Sequence, residues 1–217
     1  MMTSRRGLFI TFEGIDGVGK TTQAQRLRDY LSARDLTVVM TCEPGGTPLG
    51  ASIRRLLLDP LASSISGKAE ALLYAADRAE HVAELIRPAL ARGECVVSDR
   101  YTDSSVAYQV GGRKLRRRDI ERLNMWATEG LQPDRTYLLD MNPESARRRI
   151  ELARDADRIE SEPDPFQNRV RDKFLNLAER CPDRIAVIDA SRGIDDVWGL
   201  IRTDVDALLD ARACARG

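Results

Sequence analysis

Leu8-Phe9-Ile10-Thr11-Phe12-Glu13 runs directly into Gly14-Ile15-Asp16-Gly17-Val18-Gly19-Lys20-Thr21-Thr22, and this join decides the fold. The first stretch is a short apolar β run. The second has the spacing G-x-x-x-x-G-K-[ST] of a phosphate-binding loop. Its glycines let successive backbone N–H groups turn inward around a phosphate, where Cβ atoms would obstruct them. The residues after Thr21 have a helical pattern, so a helix N-terminus adds its positive end to the same anion. Lys20 can bridge β- and γ-phosphates and the Thr21 hydroxyl can hold Mg²⁺. Gly14, Ile15, Asp16, Gly17, Val18, Gly19, Lys20, Thr21 and Thr22 are thus the candidate ATP-binding residues.

Outward from the loop, strand-like and helix-like runs alternate. Further β runs are expected at Leu36–Met40, Cys95–Ser98, Thr136–Leu139 and Ile185–Ile188. They alternate too weakly for a sheet with one wet face, which is the mark of buried parallel strands. Helical patterns cover Thr21–Arg34, Leu49–Leu58, Lys68–Arg92, Arg117–Glu129, Glu144–Arg154, Pro165–Glu179 and Ile194–Leu209. Pro88 should bend the third of these near its end. The expectation is one α/β domain over residues 1–217, a three-layer P-loop NTPase fold with a five-stranded parallel sheet flanked by helices.

Composition narrows the partners. The 34 basic residues, nearly all arginine, balance 34 acidic ones, so no bulk field points to nucleic acid or a membrane surface. No apolar run approaches the roughly 18 residues that span a bilayer. Residues 1–7 are polar and lead straight into a strand, unlike a secretory signal. Cys42, Cys95, Cys181 and Cys214 have no metal-binding spacing, which fits reduced thiols in the cytoplasm. The basic run Gly112–Arg118 has no interleaved aromatics and reads as a solvated helix start.

Asp99-Arg100-Tyr101 closes the third β run. Ligands gather at the carboxyl ends of strands in an open α/β sheet, so Asp99 is placed for the metal and its waters, and Arg100 for a transferring phosphoryl group. The hydroxyls and amide of Thr102-Asp103-Ser104-Ser105-Val106-Ala107-Tyr108-Gln109 follow, a surface suited to a base and a sugar.

These motifs, with Glu43-Pro44-Gly45-Gly46-Thr47 and Leu73-Tyr74-Ala75-Ala76-Asp77-Arg78, together resemble the bacterial thymidylate kinases from about Gly7 to Leu209. The resemblance implies in-line transfer of the ATP γ-phosphoryl, with Mg²⁺, to the 5′-phosphate of dTMP, giving dTDP for the synthesis of dTTP and DNA. It implies that Tyr74 stacks on thymine and Arg78 hydrogen-bonds it. Tyr74 and Arg78 stand one helical turn apart and can grip one ring together. By the same resemblance Ser105 and Gln109 contact the base, and Tyr108 lies against the deoxyribose. Asp16 lies near the acceptor's sugar and phosphate, Arg54 and Arg100 bind that phosphate, and Glu43 belongs to the loop closing over it. Ser104 completes the acceptor-binding set.

The polar stretch Arg147–Arg171 resembles the family's mobile lid. With Gly17 where some relatives carry a P-loop arginine, the lid is the expected source of one; Arg154 and Arg158 are the candidates for stabilising charge on the γ-phosphoryl. Cys42 stands where the family usually has arginine, and Tyr74 where it usually has phenylalanine. A homodimer is implied. A different phosphoryl acceptor, or a regulatory ATPase acting on a protein partner, are the alternative readings.

Overall fold

A computed structural model describes residues 6–59, 65–152 and 157–214. Its sheet contains β1 (Phe9–Glu13), β2 (Val38–Cys42), β3 (Cys95–Asp99), β4 (Arg135–Asp140) and β5 (Ile185–Asp189), all parallel, in the order β2-β3-β1-β4-β5. The second strand lies two residues later than its apolar run suggested, so that it ends at Cys42, immediately before Glu43-Pro44. β1 is buried throughout, as expected of a strand covered on both faces. Phe9 packs with Val82, Ile86 and Leu90, while Leu8, Ile10 and Phe12 join Leu27 and Leu31 in the larger core.

This strand order creates the site. From β1 the chain crosses outward to β2 through α1 (Lys20–Ser32), whereas from β3 it crosses the other way to β4. Neighbouring strands whose connections leave in opposite directions open a crevice at their carboxyl ends. The β1/β3 register pairs Phe12 with Asp99. The phosphate loop and Arg100-Tyr101 therefore emerge side by side.

Beyond β2 come α2 (Pro48–Leu58) and α3 (Gly67–His81). The helical run expected over Lys68–Arg92 switches to an i→i+5 pattern at Val82–Ile86 before finishing as α4 (Arg87–Ala91). The switch falls just ahead of Pro88, which cannot donate into a regular helical ladder.

One helical stretch escaped the periodicity altogether. α5 (Thr102–Ser105) continues into a π-helical turn at Val106–Gly112. Serines, three β-branched residues and two glycines make this a poor autonomous helix. It forms because α8 (Asp164–Arg180) packs on it closely; a Cβ on Gly112 would sit 2.4 Å from the Phe166 ring. The remaining helices are α6 (Arg117–Thr128), α7 (Pro143–Glu151) and α9 (Ile194–Cys214), the last packed beside α1.

Candidate active site

The phosphate loop wraps the start of α1, with Lys20 as the first residue of that helix. Lys20 Nζ donates to the Ile15 carbonyl at 2.8 Å and lies 3.5 Å from Asp16 Oδ1. Burial, then the neighbouring Arg100, lowers the lysine pKa below its ordinary value. Thr21 Oγ1 donates to Asp99 Oδ2 at 2.6 Å, so the loop hydroxyl and the strand-end carboxylate stand together. An open cleft of about 1390 Å³ lies over this floor, lined by Gly17, Gly19, Lys20, Thr21, Thr22, Cys42, Asp99 and Arg149 among others.

Gly17 explains why no side chain rises from the middle of the loop. Its φ is +81°, and a Cβ there would come within 2.3 Å of the Ala146 carbonyl of α7. α7 thus occupies the space that a side chain at this position would need.

A second cavity, about 540 Å³, lies between α2, α3 and the α5 segment, and is lined by Tyr74, Arg78, Ser104, Ser105, Tyr108 and Gln109 together with Asp157 and Ile159. Asp16, Glu43, Arg54 and Arg100 line both cavities. The two meet there.

Arg100 dominates the junction. Its φ of +75° is unusual for a side-chain-bearing residue. Its guanidinium donates to the Gly14 carbonyl at 3.0 Å, Ser104 Oγ at 2.9 Å, Asp16 Oδ1 at 2.6 Å and the Tyr108 hydroxyl at 3.2 Å. Tyr108 in turn donates to Asp16 Oδ2 at 3.2 Å. Burial alone would raise the Asp16 carboxyl, but Arg100 and Lys20 outweigh it and hold it well below the usual carboxylate range.

Glu13, which the sequence did not mark as part of the site, holds this turn in shape. Its Oε1 accepts from Tyr101 N at 2.8 Å and Ser104 N at 3.3 Å, and its Oε2 accepts from Ser104 Oγ at 2.6 Å. Complete burial, reinforced by Asp103, pushes its carboxyl up to about 8. The only early signal was a carboxylate closing an otherwise apolar buried strand.

Arg78 and Glu43 differ from expectation. Arg78 is 1% exposed. Its Nε donates to Glu43 Oε2 at 2.8 Å, Nη1 to Ser105 Oγ and Asn124 Oδ1, both at 2.8 Å, and Nη2 to the Tyr101 carbonyl at 3.0 Å. Nη2 also lies 2.7 Å from Glu43 Oε2, so every N–H of the fork has a protein acceptor. Glu43, named for the acceptor site, has its carboxylate between Arg78 and His81, whose Nδ1 is 2.9 Å from Oε1. The reason is burial, because a carboxylate here must be matched by internal donors. His81, fully buried, reaches Thr41 Oγ1 with its other nitrogen at 2.7 Å and anchors the loop. Arg54 contrasts with Arg78. Its Nη1 donates to the Pro44 carbonyl at 2.8 Å, and it has no other hydrogen bond or ion pair among the described residues.

The lid candidates also part company. Arg154 lies outside the described residues. Arg158 is turned away from the phosphate loop: its Nε donates to the Leu57 carbonyl and its Nη2 to Glu70 Oε2, both at 2.7 Å. A buried carboxylate at Glu70 draws it there. A third arginine, beside Arg54 and Arg100, lines the phosphate-loop cleft: Arg149 on α7, whose Nη2 donates to the Ala190 carbonyl at 3.3 Å and whose spacing in an arginine-rich helix gave no sign of it. Asp157 and Glu160 brace the turn reciprocally, Asp157 Oδ1 accepting from Glu160 N and Glu160 Oε2 from Asp157 N, each at 2.9 Å.

A phosphate loop at a sheet switch point, joined through a half-buried arginine to a second cavity, defines a P-loop phosphotransferase with a small phosphorylated acceptor. The sequence profile of the thymidylate kinases matches residues 12–201. Similar chains include thymidylate kinases of Bifidobacterium longum (strain NCC 2705), 59% identical over 93% of this chain and 98% of that one, and of Clavibacter michiganensis, 50% identical over 96% and 99%. The crystal structure of thymidylate kinase from Ehrlichia chaffeensis superposes with a TM-score of 0.74 at 34% identity, covering 92% of this chain and 99% of that chain. The chain belongs to the thymidylate kinase family.

Proposed function

We infer that the junction at Asp16, Arg54 and Arg100 is where the acceptor's phosphate meets the γ-phosphoryl of ATP. As a thymidylate kinase family member, the enzyme phosphorylates dTMP to dTDP for dTTP synthesis. The single observation carrying the geometry is the shared wall of the two cavities, which brings an acceptor bound beside Tyr74 to the edge of the phosphate loop. Phosphoryl transfer needs positioning and charge neutralisation more than a general base, and this site supplies both.

The acceptor phosphate binds Arg54, which has uncommitted N–H groups, and Arg100, whose orientation Asp16 and Tyr108 fix. Tyr74 covers the thymine ring, Tyr108 crowds the sugar where a 2′-hydroxyl would stand, and Gln109 contacts the base. Arg78 reaches the base through Nη1, where an incoming carbonyl replaces the Ser105 hydroxyl as acceptor. Lys20 and Arg149 neutralise charge on the transferring group. Arg149 takes the part expected of Arg158, which is engaged elsewhere.

Mg²⁺ fits the donor set. Thr21 and Asp99 offer only hard oxygens, and no group of three metal-ligating side chains gathers among the described residues. Such a pair suits a cation that keeps its waters and takes phosphate oxygens as ligands. Held there, it would neutralise negative charge on the ATP phosphates.

The chain works as one domain whose segment 147–171 closes over ATP, in the cytoplasm, where its four free thiols stay reduced. We place a homodimer contact on α2, α3 and α6, where Leu49, Leu56, Leu72, Met125 and Trp126 are exposed, the last at 81%. No helix among the described residues is long and apolar enough to cross a membrane. ADP release measured across dTMP, dUMP, dCMP, dAMP and dGMP tests the assignment. dTMP should be the fastest acceptor, and acceptor-independent turnover would overturn the reading.

A further inference from the structure

Glu70 stands one helical turn before Tyr74 on α3, buried to 1% exposure, and belongs to none of the motifs that mark the site. Four donors converge on its carboxylate. Oε1 accepts from Gln109 Nε2 at 3.0 Å and Arg113 Nε at 3.1 Å; Oε2 accepts from Arg113 Nη2 at 3.0 Å and Arg158 Nη2 at 2.7 Å. Arg113 also pairs with Glu162, so the cluster joins the acceptor pocket to the turn at 157–162. Burial would raise the Glu70 carboxyl, but hydrogen bonds from Arg113 and Arg158 prevail and keep it below its usual value.

An ionised carboxylate only accepts hydrogen bonds, so the neighbouring amide must turn its NH₂ toward it. That determines the other end of Gln109. Its Oε1 has no hydrogen bond among the described residues, and the residue lines the acceptor cavity. The N3–H is the only hydrogen-bond donor on a thymine base joined to its sugar, and cytosine offers a bare acceptor at N3. A forced acceptor facing N3 therefore complements the first and opposes the second, whose own donor is the amino group one ring position away.

We propose that Glu70 is a positioning residue for base selection: by fixing the Gln109 amide with its oxygen toward the cavity, it makes the enzyme favour a base bearing N3–H over cytosine. The inference rests on the reading that Gln109 contacts the base. Arg158 and Arg113 contribute by holding Glu70 charged and in place, which ties docking of the 157–162 turn to the same selection.

Three variants separate the inference from the reading beneath it, with kcat and KM measured for dTMP and dCMP and folding followed by thermal melting. Gln109→Ala should raise the KM for dTMP about 10- to 100-fold, the effect of losing a buried polar contact. Glu70→Gln can meet the Gln109 amide in either orientation, so it should narrow the dTMP-over-dCMP ratio of kcat/KM by about tenfold or more. It should do so mainly through the KM values, with kcat for dTMP changed less than about threefold. Glu70→Asp keeps the charge for the two arginines but withdraws the acceptor by a methylene. It should narrow the ratio likewise, and it carries the test if Glu70→Gln fails to fold. If Gln109→Ala raises the KM while folded Glu70 variants keep the wild-type ratio, the Glu70 inference is wrong and the base contact stands. If Gln109→Ala leaves the KM unchanged, the base contact fails and the inference with it.

Discussion

Replacing Arg78 by methionine should destabilise the enzyme far more than loss of a base contact would imply. Arg78 and Glu43 have side chains only 1% exposed, at 2.7 Å from each other. Deleting one partner of such a pair leaves a buried uncompensated charge, at a cost of about 3–5 kcal/mol. Ser105, Asn124 and the Tyr101 carbonyl lose a donor as well, and each orphaned buried acceptor costs about 1–3 kcal/mol. These terms overlap, since Asn124 still donates to the Thr102 carbonyl and the methionine refills much of the volume. A net loss of about 5 kcal/mol follows, which for a chain of this length lowers Tm by about 10–20 °C. Scanning calorimetry without nucleotide measures it directly. Adding Glu43→Gln removes the orphaned charge and should recover about 2 kcal/mol or more, a coupling expected only of groups in contact. A fall in Tm below about 3 °C, or a double variant no more stable than the single one, would refute the burial argument.

Lys20→Ala should abolish turnover with dTMP while leaving Tm within a few degrees; near-normal activity would remove the phosphate loop from the mechanism. Asp77 is fully buried, and burial, then the nearby Glu43, raises its carboxyl to about 6 from an ordinary 3.8. The unfolded carboxyl loses its proton first, so the stability this group contributes below about pH 4 is lost as pH rises through 6. Asp77→Asn lacks that term. In urea unfolding it should gain on wild type by up to about 3 kcal/mol between pH 4 and 7, and parallel pH curves would contradict the assignment. Trp126→Glu should shift light-scattering mass toward monomer at micromolar concentration, and an unaltered dimer would move the proposed contact elsewhere.

Local chemistry in the chain made the phosphate end of the site legible. The loop from Gly14 to Thr22 acts through backbone amides and two adjacent side chains, so spacing alone specifies it. The doubly wound sheet was legible for a similar reason, because β1 must be apolar on both faces to sit at its centre. The helical turn at Val106–Gly112 was not, since its formation depends on α8 closing over its glycines rather than on its own propensity.

Sequence by itself therefore determined the phosphate loop and the apolar strands of the parallel sheet, both properties of contiguous residues. Tertiary structure decided which side chains are free. Arg54 keeps uncommitted N–H groups and Arg78 does not. Arg149 lines the phosphate-loop cleft while Arg158 is held by Glu70, and Glu13 and Glu70 govern neighbours far from them in sequence. The cause is desolvation. A buried charge must be satisfied by whatever the fold brings near it, and that inventory exists only once distant segments have packed.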